Sequence, residues 1–298
     1  MSEKKKVHLV LGSGGARGVA HIGVIEELEK EGYEIIEVIG CSMGAVVGGI
    51  YCAGQLSEYK KWMLSLTKKG VFDLLDFTFT SQGFVKGERL FGKHIEVTGQ
   101  QKIEDFKIPF TAVATDMKHH KEVHFKEGDL FKALRASVSI PGIFTPIVDE
   151  DLVLVDGGVL NPLPINLVQK RDDAIIVAVD INSRTIVEDL LIKEEKKQRK
   201  KYWFENLLPD SIKEFAQNHE EKKKESFSLF ELMESTFSFT QDRLTELMIE
   251  HYKPDILVEV PRDTCDTFEF YKSKQLVEVG SRAFRNALAK SDQFRSQE

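Results

Sequence analysis

Cysteine and long apolar runs are scarce in this chain of 298 residues, and each scarcity excludes a class of protein. The three cysteines, Cys41, Cys52 and Cys265, form no C-x-x-C pair, so we expect neither a disulfide framework nor a metal site. No stretch approaches the roughly 18 to 20 consecutive apolar residues of a membrane-spanning helix. The first residues lack the apolar region of a signal peptide. These features predict a soluble cytoplasmic protein.

The charge balance is acidic, with 41 Lys and Arg against 48 Asp and Glu and a net charge of −7. Such a balance gives no overall attraction for nucleic acid, so we expect no nucleic-acid partner. A basic cluster at residues 196–201 is most simply a solvated helix face. The hydrophobic share of 42% is enough to bury a large core, and we expect one domain.

Short apolar segments alternate with helical patterns through the first half of the chain. This alternation is typical of an α/β fold with a mostly parallel sheet covered by helices. A small-residue helix is predicted at 43–53. Strands are predicted at 7–11, 34–39, 110–114, 153–155, 175–179 and 256–260.

The sequence changes character between residues 182 and 251, where there is no glycine, one proline and abundant Lys, Glu and Phe. We interpret 182–251 as a helical, charge-rich insertion or cap. The single domain of 1–298 would then have a motif-bearing core at about 7–181 and a final strand and helix at about 255–290. Apolar residues that repeat along 230–247 indicate core packing or a lipid-facing surface, and Trp203 beside the basic cluster could belong to an interfacial patch.

The sequence G-C-S-M-G at residues 40–44 is a G-x-S-x-G motif between a predicted strand and a predicted helix. That context is typical of a sharp turn that exposes a serine hydroxyl at the carboxyl edge of a sheet. Gly40 and Gly44 flank the serine without a Cβ that would clash. The helix that begins at Met43 directs free N–H groups toward the hydroxyl. We therefore predict that Ser42 is a nucleophile; the alternative is a chance glycine-rich turn.

The sequence G-S-G-G-A-R-G at residues 12–18 also lies between a predicted strand and a predicted helix, where consecutive N–H groups bind anions. A dinucleotide motif that starts at Gly12 would need glycine where Arg17 stands, and a phosphate P-loop would need G-K-[ST]. We favour an oxyanion hole with backbone donors from Gly14, Gly15 and Ala16. Arg17 would add positive charge or only clamp the loop.

A serine nucleophile needs a base, and histidine is the usual choice. If the triad followed the chain order Ser-Asp-His with Asp156 as the acid, only His219 and His251 would lie beyond the acid. Both have charged helical surroundings. Asp156 is a better candidate, because an apolar strand delivers its carboxylate to a sheet edge just before Gly157 and Gly158. The alternative is a turn-forming aspartate.

Together these motifs resemble those of the patatin-like phospholipase family of serine acyl hydrolases. The resemblance spans about 7–180 and rests on 12–18, 40–44, R-A-S-V-S-I-P-G-I-F at 135–144 and D-G-G at 156–158, in that order. It implies a three-layer α/β/α sandwich, a dyad of Ser42 and Asp156, an oxyanion hole in the first glycine loop, and no metal, histidine or cofactor. Cys41 departs from the pattern, since many relatives carry threonine there.

The same resemblance implies a hydrolase of lipid carboxylic esters, of the phospholipase A, lysophospholipase or esterase type, that works through an acyl-enzyme on Ser42. Acyl transfer from the same serine, or a weakly active binding module on the same fold, are the alternatives. The expected partner is a lipid ester, with transient contact at a membrane surface; the sequence gives no oligomeric state. A free aspartate is a base about 2.6 pKa units weaker than imidazole, so we expect burial to raise the pKa of Asp156.

Overall fold

The computed structural model describes residues 4–80, 83–149, 151–185, 187, 190–192 and 229–295. The chain divides into two compact units, one of residues 1–191 with 240–298 and one of residues 192–239. The basic cluster at 196–201, Trp203 and His219 lie outside the described residues. The motifs at 12–18, 40–44, 135–144 and 156–158 all belong to the first unit.

Strands and helices alternate along the first unit. The strands are β1 (Lys6–Leu11), β2 (Glu34–Cys41), β3 (Phe77–Thr80), β4 (Gly83–Val85), β5 (Phe110–Asp116), β6 (Lys121–Phe125), β7 (Ile147–Asp149), β8 (Leu152–Asp156), β9 (Ala174–Ser183) and β10 (Ile256–Pro261). The helices are α1 (Ala20–Lys30), α2 (Met43–Cys52), α3 (Leu56–Ser65), α4 (Lys68–Leu74), α5 (Glu88–Thr98), α6 (Leu130–Ser137), α7 (Leu229–Tyr252) and α8 (Ser273–Arg295). Helix α7 continues from the second unit into the first.

Eight of the described strands form one sheet, in the order β10-β9-β1-β2-β5-β8-β7, with β6 also paired to β5. The first five strands of this order are parallel to one another. β6 and β8 run antiparallel to β5, and β7 runs antiparallel to β8. The predicted α/β fold with a mostly parallel central sheet is therefore confirmed.

Close backbone packing brings helices onto one face of this sheet. A Cβ atom on Gly48 of α2 would lie 2.7 Å from the side chain of Val38 in β2. A Cβ atom on Gly23 of α1 would lie 2.0 Å from the Val277 carbonyl oxygen, so α8 packs directly against α1. These close approaches require glycine, and they hold α2 over the strand that ends at the predicted nucleophile.

The opposite face of the sheet also carries a core. Val10 and Ile176 are buried there, and Met248 and Ile249 of α7 pack against the same cluster. The apolar repeat along α7 does not pack uniformly, because Met233 is 53% exposed and Leu247 is 43% exposed. The core-packing interpretation is wrong for Met233 and Leu247. No described helix is both long enough and apolar enough to cross a bilayer.

Strand β9 is longer than the predicted 175–179. It continues through Asp180, Asn182 and Ser183, which are polar but buried. Local hydropathy ends the strand too early, because these side chains find hydrogen-bond partners in other segments instead of solvent. The carboxyl end of β9 therefore carries buried polar groups beside the glycine loop.

Candidate active site

Ser42 alone forms the turn between β2 and α2. Its φ is 54° and its ψ is −125°, a conformation that non-glycine residues adopt rarely and only where the surroundings hold it. Neighbouring chains approach closely on both sides. A Cβ atom on Gly40 would lie 2.5 Å from the Ala45 nitrogen, and one on Gly44 would lie 2.1 Å from the Leu11 carbonyl oxygen. The two glycines of the motif are thus required by packing.

Strand β5 brings Ser42 and Asp156 together from positions far apart in the chain. Cys41, the last residue of β2, pairs with Val113, and Asp156, the last residue of β8, pairs with the next residue, Ala114. As a result the Ser42 hydroxyl donates a hydrogen bond of 2.7 Å to Oδ2 of Asp156. The two predicted reactive groups are in direct contact.

The Asp156 carboxylate is fully buried. Burial raises its pKa to about 7, and the hydrogen bonds from the Ser42 hydroxyl and the Gly158 N–H oppose part of this rise. The Gly158 N–H donates to Oδ1 at 2.7 Å. The Cys41 thiol lies 4.0 Å from the same oxygen, and burial raises the pKa of this thiol well above its ordinary value. A carboxylate with a pKa near 7 can take up a proton at neutral pH.

No described histidine takes part in this pair. Among the described residues, no histidine hydrogen-bonds to Ser42 or Asp156. His251 is exposed near the end of α7. His21 is buried with Nε2 2.9 Å from the Gly12 carbonyl oxygen, and burial lowers its pKa to about 4. His21 therefore lies against the glycine loop and is neutral near pH 7.

Two backbone donors of the glycine loop have no partner among the described residues. The N–H of Gly12 donates to the Val179 carbonyl at 3.0 Å, and the N–H of Ala16 donates to the Thr267 carbonyl at 2.8 Å. Across the described part of the chain, the N–H groups of Gly14 and Gly15 have no acceptor. Of the three predicted oxyanion donors, Gly14 and Gly15 have free N–H groups and Ala16 does not.

The loop lies directly against the beginning of α2. A Cβ atom on Gly18 would be 2.3 Å from the Cβ atom of Met43, the residue that follows the serine. A Cβ atom on Gly44 would also be 2.7 Å from the Gly12 carbonyl oxygen. The glycine loop therefore contacts the N-terminus of α2, next to Ser42.

Arg17 holds the loop in place. Its guanidinium donates to the Cys265 carbonyl at 2.8 Å and to Oδ1 of Asn182 at 2.8 Å. The amide of Asn182 in turn donates to the Ser13 carbonyl at 2.7 Å. Of the two roles predicted for Arg17, these contacts fit the clamp.

Gln241 of helix α7 lies next to Ser13 and Gly158. Nε2 of Gln241 donates to the Ser13 hydroxyl at 3.3 Å and lies so close to Gly158 that a Cβ atom there would be 2.0 Å away. The adjacent Asp242 forms ion pairs with Arg184 and Arg262. Ser42 is only 2% exposed in this arrangement.

Sequence reasoning missed three residues of this site. Ser137 accepts a hydrogen bond from the backbone of Ser42, Asn182 links Arg17 to the loop, and Gln241 donates to the Ser13 hydroxyl of the loop. Ser137 lies inside the quoted motif at 135–144, and Asn182 follows a predicted strand at its carboxyl end, so each carried a signal. Gln241 has no local signal, because an isolated glutamine on a charged helix is ordinary.

Comparisons with known proteins identify the family of this chain. The model of the patatin-like phospholipase family matches residues 9–168. An uncharacterized NTE family protein of Mycobacterium tuberculosis is 31% identical over an alignment of 335 positions, gaps included. The alignment covers 96% of this chain and 92% of that protein.

Larger proteins match a smaller part of the chain. The lysophospholipase NTE1 of Cryptococcus neoformans is 34% identical over 188 residues, and the neuropathy target esterase of Drosophila melanogaster is 33% identical over 186. Each match covers 60% of this chain but only 11% and 13% of those two proteins.

A crystal structure of VipD from Legionella pneumophila covers 97% of this chain and 67% of its own, with 13% identity and a TM-score of 0.47, and adds nothing to the assignment. The family model and the mycobacterial relative are sufficient, since the first matches more than half of the chain and the second nearly all of it. The chain belongs to the patatin-like phospholipase family and is a phospholipase-like carboxylic ester hydrolase.

Proposed function

We propose that this protein hydrolyses lipid carboxylic esters through a catalytic dyad of Ser42 and Asp156 and a covalent acyl-enzyme. The observation that carries the proposal is the 2.7 Å hydrogen bond from the Ser42 hydroxyl to the buried Asp156 carboxylate. A nucleophile and a base within hydrogen-bond reach are the minimum that nucleophilic catalysis requires.

In the first step Ser42 Oγ forms a bond to the ester carbonyl carbon while its proton passes to Oδ2 of Asp156. The raised pKa of Asp156, about 7, supports this role, since a base works best when its pKa is near the working pH. The tetrahedral intermediate then expels the alcohol, which takes the proton from Asp156. The product of this half-reaction is an acyl group on Ser42.

The negative charge of the tetrahedral intermediate needs hydrogen-bond donors. The N–H groups of Gly14 and Gly15 would supply them, assisted by the positive end of the α2 dipole. Arg17 would act indirectly, because its hydrogen bonds go to the backbone and to Asn182. Loss of one such donor typically lowers kcat by about 10² to 10³.

Water completes the cycle. A water molecule gives a proton to Asp156 as its oxygen attacks the acyl carbon, and Ser42 Oγ leaves and takes that proton back. The carboxylate therefore ends as it began, and the acyl chain is released as a free acid. No group beyond Ser42, Asp156 and the loop donors enters this sequence of steps.

The proposed substrates are phospholipids and lysophospholipids. The support is the lysophospholipase name of the fungal relative together with the family itself. Such substrates lie in membranes or micelles, so the enzyme would contact a lipid surface transiently. Products from pure lysophosphatidylcholine and phosphatidylcholine vesicles, measured by mass spectrometry, would identify the ester bond that is cleaved.

A fluorophosphonate probe tests the nucleophile. We expect wild-type protein and Cys41→Ala to be labelled and Ser42→Ala to be unlabelled and inactive, because the probe bonds to an activated serine oxygen. Free fatty acid release with and without an added acceptor alcohol separates hydrolysis from acyl transfer. Absence of labelling in wild type would contradict the proposal and favour a binding module.

A further inference from the structure

The segment 137–139, which begins with the last residue of α6, contacts the backbone of both members of the proposed dyad. The N–H of Ser42 donates to the Ser137 hydroxyl at 2.9 Å. The N–H of Asp156 donates to the Ser139 carbonyl at 2.9 Å. Two residues of one short segment thus hold groups that lie 114 residues apart in the chain.

The pattern of the β2–β5 ladder explains why Ser42 needs such a partner. In a parallel pair, every second residue donates to the carbonyl just before its partner. Val38 follows this rule, since it pairs with Phe110 and donates to the Pro109 carbonyl at 2.9 Å. Ser42 is four residues beyond Val38, and Val113 is four residues beyond Pro109. By the same alternation, the ladder acceptor for the Ser42 N–H would be the Val113 carbonyl.

Ser42 does not make that ladder bond, because its positive φ turns the chain out of the sheet. The Ser137 hydroxyl stands between the two groups instead. It donates to the Val113 carbonyl at 2.6 Å and accepts from the Ser42 N–H at 2.9 Å. A hydroxyl has one proton and two lone pairs, so this one bridge satisfies both groups with its proton direction fixed.

The bridge is enclosed, which makes it hard to replace. Ser137 and Asp156 are fully buried, and Ser42 is 2% exposed. On the far side of the bridge, a Cβ atom on Gly157 would be 2.3 Å from the Val113 carbonyl oxygen. Buried N–H and C=O groups are nearly always paired, so loss of the hydroxyl would favour direct closure of Ser42 onto Val113.

We propose that Ser137 is a positioning residue whose hydroxyl replaces the missing ladder bond and thereby holds Ser42 Oγ at hydrogen-bond distance from Asp156. The proposal rests on the function proposed above. Direct closure of the Ser42 N–H onto Val113 would pull the turn back toward the strand and move the nucleophile away from its base. A displacement of about 1 Å can lower a rate about 100-fold.

Ser137→Ala tests this role, with Thr115→Val as its matched control. Thr115 is a buried hydroxyl on the neighbouring strand whose Oγ1 has no partner among the described residues, so its removal breaks no bond. For fluorophosphonate labelling of folded protein, we expect Ser137→Ala to lower the maximal inactivation rate by about 10- to 100-fold. The half-saturating probe concentration should stay within about 3-fold, since the binding surface is unchanged. Thr115→Val should behave like wild type.

Ser137→Thr and Ser137→Cys complete the series. Ser137→Thr keeps the hydroxyl and should recover at least a third of the wild-type rate. Ser137→Cys keeps the approximate volume with a weaker hydrogen-bonding group and should remain slow, and it replaces Ser137→Ala if that variant does not fold. A wild-type maximal rate in the alanine variant, or in the cysteine variant where alanine does not fold, overturns the proposal.

Failure of the inference can be told from failure of the proposed function. If wild-type protein is not labelled, the dyad itself is wrong and Ser137 has no nucleophile to position. If wild-type protein is labelled and Ser137→Ala is only less thermostable, with an unchanged rate per folded molecule, the dyad survives and the positioning role is overturned.

Discussion

The turn at Ser42, the elbow, and the glycine loop at 12–18 occupy equivalent places in the fold. Each joins a parallel strand to a helix at the carboxyl edge of the sheet, and each contains a residue at nearly the same positive φ, 54° at Ser42 and 57° at Gly15. In the loop that residue is glycine, and a Cβ atom would be 2.7 Å from the Thr267 carbonyl oxygen. In the elbow it is serine, despite a strain of about 1 to 3 kcal/mol.

The difference follows from which part of the residue has the function. The loop offers backbone N–H groups, so the residue at its positive φ needs no side chain and can be glycine. The elbow offers a side chain, so the strained residue cannot be glycine. Ser42 is held instead by two hydrogen bonds that it donates, from its N–H to the Ser137 hydroxyl and from its own hydroxyl to Asp156.

Asp156→Asn removes the proposed base beside the elbow and has the largest expected effect. The amide cannot accept the serine proton, so we expect kcat to fall by about 10³- to 10⁴-fold. The variant should nevertheless be more stable than wild type at pH 8, because it removes a buried charge. Thermal unfolding and ester hydrolysis measured on the same samples check both halves of the prediction.

The stability gain has a defined pH dependence. Burial raises the folded pKa of Asp156 to about 7 from an ordinary 3.8, so the wild-type carboxylate lowers stability increasingly as pH rises from about 4 to about 7. The gain should thus shrink toward zero near pH 4. Asp173→Asn is the control with opposite sign, since hydrogen bonds from Lys6 and Arg171 lower the pKa of Asp173 to about 2. A destabilised Asp156→Asn at pH 8 would contradict the argument.

Gly15→Ala tests the glycine loop, because it adds a side chain at the loop's residue of positive φ. The new methyl group would meet Thr267 at 2.7 Å and displace the free N–H groups, so we expect kcat to fall by about 10²- to 10³-fold. Gly32→Ala is the matched control, because Gly32 has a φ of +80° with no atom within 4 Å of the added Cβ. The control should lose about 1 kcal/mol of stability and keep its kcat. Equal kcat values in the two variants would remove the loop from catalysis.

Both turns could be predicted from sequence because their signals are local. G-x-S-x-G between a strand and a helix fixes the elbow, and a strand that ends in D-G-G brings a carboxylate to the sheet edge. The predicted strands also hold, apart from the polar extension of β9 through Asp180 and Asn182. Short segments of strong hydropathy carry their own structural information.

The supports of both turns could not be predicted. The Ala16 N–H is engaged by Thr267, Arg17 by Asn182, and Ser42 by Ser137, partners that are 95 to 251 residues away in sequence. No periodicity encodes a contact between two polar groups from distant segments. Such a contact arises only when the fold places the segments side by side, as it does for Val113 in β5 and Ser137 at the end of α6.

A pH profile of kcat/KM would show whether the ionisable group that controls the rate lies at the elbow or beside the loop. If Asp156 is the base, the rate should fall tenfold per pH unit below an apparent pKa of about 7, because only the carboxylate form accepts the serine proton. Two buried groups near the loop also have shifted pKa values. Burial lowers the pKa of His21 to about 4 and raises that of Asp180 to about 6.

Three variants assign the limb of that profile. His21→Gln keeps a donor for the Gly12 carbonyl, and Asp180→Asn keeps an oxygen for the Asn182 N–H, so each removes a titrating group with little change in contacts. Neither should move the limb, whereas Asp156→Asn should abolish it along with the activity. A limb that moves with Asp180→Asn would place the limiting proton beside the loop, and one near pH 4 in wild type would mean that burial does not tune Asp156. If the acidic limb stays near pH 7 in wild type, His21→Gln and Asp180→Asn, the titrating group is Asp156 at the elbow. The loop then contributes only its N–H hydrogen-bond donors.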